Sequence, residues 1–129
     1  MKKLLIIPML FASYMGMAQV ADSASIIGKS IRIDNLLVAQ NDFPTQMNWD
    51  DAVKACASLG PGWRLPTIDE LNIIYQNKDK IRGFRDNYYW SSSELGNGIY
   101  GAWGRGITGG SQVGIDKDFP DSVRAVRSF

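Results

Sequence analysis

Asp116, Asp118 and Asp121 put three carboxylates into one six-residue loop, Asp116-Lys117-Asp118-Phe119-Pro120-Asp121. Calcium takes hard oxygen donors of this kind, and Glu94 could approach the loop as a fourth ligand. The run lacks the full D-x-D-x-D-G pattern of a dedicated calcium loop, and aspartates at this density equally mark a solvated turn. Calcium is therefore the one cofactor left open, with Glu94, Asp116, Asp118 and Asp121 as its ligands; no other cofactor is expected.

A second group reads as ligand-binding. Tyr100, Trp103 and Arg105 stand in a stretch with eight glycines between Gly96 and Gly114. Small neighbours leave aromatic faces open to a sugar ring or an apolar ligand, and aromatics with arginine are typical anchors of binding surfaces. Alternate residues of a strand point to opposite faces, so Tyr100 and Trp103 need not share a surface.

Most catalytic designs are excluded by composition. The chain has no histidine, which removes Ser-His-Asp and Cys-His nucleophiles and histidine zinc sites. A single cysteine, Cys56, makes neither a CxxC pair nor a four-thiolate metal site. Two of the 13 acidic residues would suffice for glycoside hydrolysis, but no spacing singles out a pair. The expectation is no catalytic residue and no enzymatic activity.

The 129 residues allow one domain. Residues 1–18 read as a secretory signal peptide: Lys2 and Lys3, an apolar run from Leu4 to Met17, then Gly16-Met17-Ala18 before the cut. That run is shorter than the roughly 20 residues of a spanning helix. Gln19, not cysteine, follows the cut, so no lipid anchor and no stable membrane insertion are expected. The mature protein would reside in the periplasm, on the cell surface or outside the cell. Removing the leader takes two lysines and leaves 12 basic residues against 13 acidic ones, a net charge near −1 with no broad pull on nucleic acid. Lys78, Lys80, Arg82 and Arg85, followed by Tyr88, Tyr89 and Trp90, read as a solvated helix end beside a core strand.

The elements that must position these groups follow from pattern. Residues 19–30 read as a spacer or edge strand, and the domain as 31–129. Ile31, Ile33, Leu36, Leu37 and Val38 predict a strand or strand pair. Asn48 caps a helix with Asp50 and Asp51 in its first turn and a stripe of Trp49, Ala52, Val53, Cys56 and Leu59; Gly60 and Pro61 stop it. Cys56 lies in that stripe as a buried structural thiol. Thr67-Ile68-Asp69-Glu70 is a capping box opening a second helix, in which Ile68, Leu71, Ile74 and Tyr75 face one way until Gln76 to Lys80 ends the pattern. Strands are predicted at Tyr88 to Ser93, Ser111 to Ile115 and Ser122 to Ser128. The sum is α+β, two helices packed on short antiparallel strands.

Four motifs in order, GWRLPTIDEL (Gly62 to Leu71), YWSSSE (Tyr89 to Glu94), AWG (Ala102 to Gly104) and VRAVRSF (Val123 to Phe129), resemble the Lcl C-terminal type of bacterial domain, found at the end of collagen-like surface adhesins. The resemblance covers residues 31 to 129 and implies a C-type lectin-like fold. Adhesive members are similar to binders of host glycans or glycosaminoglycans, often as trimers on a collagen-like stalk; this chain has no Gly-X-Y stalk. In such a fold GWRLPT joins the two helices, which makes Arg64 a structural clamp with Glu70 or a strand carbonyl as partner, and Trp63 and Trp90 core anchors. The calcium-dependent lectin triplets Glu-Pro-Asn, Gln-Pro-Asp and Trp-Asn-Asp do not occur here. Sulfatase-activating oxidases, similar in fold, depend on two cysteines where this chain has one.

The resulting expectation is an exported, non-enzymatic module that recognises an extracellular glycan or surface protein, with a role in adhesion. The alternative is a structural or assembly subunit of a cell-envelope complex.

Overall fold

The computed structural model describes residues 22–129; the signal peptide expected at 1–18 lies outside the described residues. The order of elements is α1 (Ser23–Ile27), β1 (Ile31–Ile33), β2 (Leu36–Val38), α2 (Trp49–Ser58), α3 (Ile68–Gln76), α4 (Lys78–Ile81), β3 (Tyr88–Glu94), β4 (Gly101–Gly106), β5 (Gln112–Asp116) and β6 (Val126–Ser128).

The first element differs from the spacer or edge strand that its small polar residues predict. Asp22 O accepts from the amides of Ser25 and Ile26, and Gly28, at φ 51°, closes the single turn. Tertiary contacts override the local bias: Ile26 is buried, and Asn41 donates from its side chain to Ser25 O and from its backbone to Ile26 O. Short polar segments adopt whatever conformation their one buried residue requires.

α2 starts where expected, with Asn48 Oδ1 accepting from the Asp51 amide at 2.9 Å. Its buried stripe is Ala52, Ala55 and Cys56, continued by Leu59, while Val53 is 39% exposed. Ala52, Cys56 and Leu59 are buried as the stripe predicts, but Ala55 is buried in place of Val53, and its small side chain lets the helix pack closely. α3 carries the full capping box, Glu70 N to Thr67 Oγ1 at 3.1 Å and Thr67 N to Glu70 Oε1 at 2.9 Å. The polar run that ends the α3 pattern then forms the short helix α4, which buries Ile81.

The strands make two three-stranded antiparallel sheets, β1-β2-β6 and β3-β4-β5. Of the predicted strand Ser122 to Ser128, only Val126–Ser128 is regular. The residues before it act as a connector: Met47 bridges Asp121, Tyr89 bridges Ser122, and Arg64 bridges Val126. This one segment thereby touches both sheets and the helix-linking loop.

Tyr89 and Trp90 are neighbours on β3, so they point to opposite faces. Trp90 joins a core with Phe43, Ala52, Cys56, Trp63, Ile115 and Val123. Tyr89 joins a second core with Ile33, Leu71, Ile74, Ile107 and Val126. Burying each large apolar side chain contributes roughly 1.5–3 kcal/mol. Burial also pushes the Cys56 thiol up to about 12, which leaves it an inert hydrophobe.

A buried ion pair lies inside this frame. Arg124, fully enclosed, donates from Nε to Asp42 Oδ1 at 2.7 Å, from Nη1 to Ala39 O and from Nη2 to Arg82 O and Gly83 O. The other oxygen of Asp42 accepts from Tyr89 Oη at 2.6 Å. Burial, and then that bond to Asp42, hold the Tyr89 hydroxyl protonated well above the usual phenol range. Arg64, in contrast, is 37% exposed; its fork grips Glu70 at 2.6 and 2.9 Å and reaches Ser128 Oγ at 2.7 Å. The hydrogen bond from Arg64 is the main reason the Glu70 carboxyl titrates below its ordinary value. Arg64 is a clamp with the partner its position predicted, at the surface.

The two arginines separate in a mutational test. Asp42→Ala leaves a buried guanidinium uncompensated and is expected to cost about 3–5 kcal/mol in denaturant unfolding. Arg64→Ala is expected to cost about 1 kcal/mol or less, because water replaces most of what is lost; equal losses would show that the buried pair is not special.

Candidate functional site

At one end of the β3-β4-β5 sheet, three loops are held together by Lys117. Its backbone amide donates to Tyr100 O at 3.0 Å, and its carbonyl accepts from the Trp49 amide at 3.0 Å. Its ammonium donates to Glu94 Oε2 and to Gly98 O, both at 2.6 Å, and stands 4.1 Å from the Trp49 ring centroid. Trp49 Nε1 in turn donates to Ser91 O at 2.8 Å. One lysine thus ties the end of β3, the 95–100 loop, the start of α2 and the β5–β6 loop.

The local turns fit this arrangement. Asp116 Oδ1 accepts from the Asp118 amide at 2.9 Å, and Phe119 N donates to Asp116 O at 3.0 Å, which folds the acidic loop back on itself. Gly98 sits at φ 79°, and a Cβ there would come within 2.7 Å of Glu94 Oε2. Gly101 and Gly114 leave room for Leu95, whose Cδ1 lies 2.7 Å from where either Cβ would stand. The glycine density is the cost of folding a loop onto a sheet face.

Three large side chains are left in solvent on these loops: Ile99 at 61% exposure, Tyr100 at 76% and Phe119 at 62%. The 116–120 turn contributes residues to two hollows. On one side about 340 Å³ is lined by Leu95, Tyr100, Ile115 and Asp116. On the other about 840 Å³ is lined by Phe43, Met47, Asp51, Lys54, Asp118 and Pro120, among others.

Of the three residues picked as ligand-binding, the structure places Tyr100 at this end and holds the other two elsewhere. Trp103 is half-buried on β4, opposite Gly114. Arg105 donates to Gly110 O at 2.8 Å and to Gln112 Oε1 at 3.0 Å, with its guanidinium 5.7 Å from the Tyr75 ring centroid. Its two terminal nitrogens hold the β4–β5 turn, while its buried Nε has no hydrogen-bond partner. Ile99 and Phe119 were missed: an isolated apolar residue in a turn has no periodicity to mark it, and only its polar neighbours hint that nothing covers it.

The four expected calcium ligands do not come together. Glu94 is held in an ion pair with the Lys117 ammonium. Asp116 is engaged with the Asp118 amide, Asp118 faces the larger hollow, and Asp121 is 7% exposed beside the bridge to Met47. Among the described residues no group of three or more His, Cys, Asp or Glu could hold a metal ion. Sequence alternation put these oxygens close along the chain, but the turn sends them apart. The Asp121 carboxyl is pushed up to about 6 by burial.

The family profile of the Lcl C-terminal domain matches residues 29–127. No curated protein matches the sequence. Among solved structures, botrocetin is similar at 12% identity with a TM-score of 0.61, and a chain in the complex of botrocetin with a mutant von Willebrand factor A1 domain at 13% and 0.59. EMS16, an antagonist of the collagen receptor integrin α2β1, is similar at 15% and 0.55. Each likeness covers 79% of this chain and 98% of the other. The fold is C-type lectin-like, as the four motifs implied.

Asp121 gives a pH test. Its ordinary value is 3.8 and its folded value about 6, so within that window the folded chain keeps a proton that the unfolded chain releases. Stability from this group is full below the window and is lost as pH rises through it. The melting temperature of the wild type minus that of Asp121→Asn is expected to fall between pH 4 and 6.5; a flat difference would mean that Asp121 is solvated.

Proposed function

The chain belongs to the Lcl C-terminal domain family, and we propose that it is an exported, non-enzymatic binding module that grips an extracellular glycan or protein through the Lys117-braced loop end. The observation that carries this reading is the exposure of Ile99, Tyr100 and Phe119 on loops whose backbones are hydrogen-bonded in place. Exposed large apolar side chains grouped on one end mark interaction surfaces. A braced loop loses little entropy on binding, which favours affinity.

Export is supported by the leader-like residues 1–18, and no helix among the described residues is long and apolar enough to cross a membrane. A non-enzymatic role is supported by the composition: without histidine, and with its buried thiol raised to about 12, the chain lacks the histidine- and cysteine-based catalytic designs. Botrocetin, held in complex with a von Willebrand factor domain, and EMS16, an integrin antagonist, support protein recognition on this fold. A role in adhesion follows if the ligand lies on a surface.

The test is a glycan array together with pull-downs from extracellular fractions, using the purified chain and a Tyr100→Ala/Phe119→Ala variant. The wild type is expected to retain a ligand that the variant loses at least tenfold, with melting temperatures within about 2 °C because both side chains are already solvated. A ligand held equally by both proteins would move the binding surface away from this end.

A further inference from the structure

Exposed acids surround the two hollows. Asp50, Asp51, Asp116 and Asp118 are all exposed, and none of them is in an ion pair, since the pairs among the described residues are Arg64–Glu70, Lys117–Glu94 and Arg124–Asp42. The bases at this end are Lys54, on the rim, Arg85, which donates to Pro44 O beside the larger hollow, and Lys117, whose ammonium is already shared by Glu94, Gly98 O and the Trp49 ring; the four unpaired acids still outnumber the free bases. Lys78 and Arg82 line a different hollow, with Phe84 and Ile107. A chain that is close to neutral overall therefore carries a negative field over its apolar end.

Resting on the binding role proposed above, we propose that the occupant of this end is a basic protein segment, with lysine or arginine side chains alternating with apolar ones. Its apolar side chains pack on Phe119 and Tyr100 and enter the hollow floored by Phe43 and Met47. Its cations reach Asp118 and Asp51 at the larger hollow and Asp116 at the smaller. Each of these acids stands on the rim of a hollow, so a long cationic side chain can lay its methylenes on the apolar floor while its charge stays at the acid. Complementary charge of this kind sets partner choice and association rate. A sulfated glycan or a nucleic acid would meet like charge here, and a neutral sugar would leave the acids without a role.

The experiment selects dodecapeptides from a random phage library on the immobilised chain. The selected peptides are then titrated against the wild type, Asp116→Asn/Asp118→Asn and Phe119→Ala. Enriched sequences are expected to be basic and apolar, to weaken tenfold or more on either variant, and to weaken similarly between 0.05 and 0.5 M salt, with all three proteins melting alike. Acidic or neutral peptides, equal binding to the acid-neutralised variant, or no enrichment would overturn the proposal. Sedimentation reads a further alternative: self-association abolished by Lys78→Glu/Arg82→Glu would make a second copy the occupant and also overturn it. A glycan lost on Tyr100→Ala/Phe119→Ala but kept by Asp116→Asn/Asp118→Asn would refute the basic partner while leaving the binding role intact.

Discussion

The guanidinium of Arg124 is a charge in a place that water does not reach, and the neighbouring structure is arranged to satisfy it. Taking an ion from water costs several kcal/mol after relaxation, so the fold holds only where each nitrogen of the guanidinium finds an oxygen. Asp42, Ala39, Arg82 and Gly83 supply them, and Phe84 offers its ring face at 4.2 Å. These partners come from the end of β2, from the segment after α4 and, through Tyr89, from β3. Arg82 itself sits at φ 68°, a conformation that non-glycine residues hold only when their surroundings over-determine it. The network fixes where the helical half of the chain meets the strands.

Lys117 solves the corresponding problem at the surface. There the constraint is entropy: loops rich in glycine lose much freedom on ordering. Three hydrogen bonds from one residue and a ring contact hold the loops of that end together, so the exposed Ile99, Tyr100 and Phe119 stand on a braced base. The two cations divide the work: a fully buried one specifies the frame, and a mostly buried one braces the loops at the end of the β3-β4-β5 sheet.

Much of the frame was legible because local chemistry and global packing agreed. Asn48 and the Thr67–Glu70 box mark helix starts by their own hydrogen bonds, and Trp90 in an aromatic strand had nowhere to go but a core. Val53 misled because a valine reads as more apolar than an alanine, although helix–sheet contact selects the smaller side chain. Arg124 was invisible as the buried arginine, since its partner Asp42 is 82 residues away and nothing in VRAVRSF distinguishes it from Arg127. The acidic loop was hard to read for a related reason: oxygen donors can be counted in a sequence, but the ion pair of Lys117 with Glu94, 23 residues away, cannot. Tyr100 was legible from its glycine neighbours; Ile99 and Phe119 needed the tertiary arrangement of two loops.

The connector at residues 121–126 lends strands, core side chains and the Arg124 charge to both halves, so its position along the polypeptide matters as well as its place in space. A chain that emerges amino terminus first will have made α2, α3 and most of β3-β4-β5 while Asp42 and Tyr89 still wait for their cation, and while Leu36, Leu37 and Val38 have only β1 beside them. Until residues 121–128 arrive, the β1-β2 pair lacks its third strand and Asp42 lacks its cation. Completion of the frame is thereby deferred to the final stretch of the described chain.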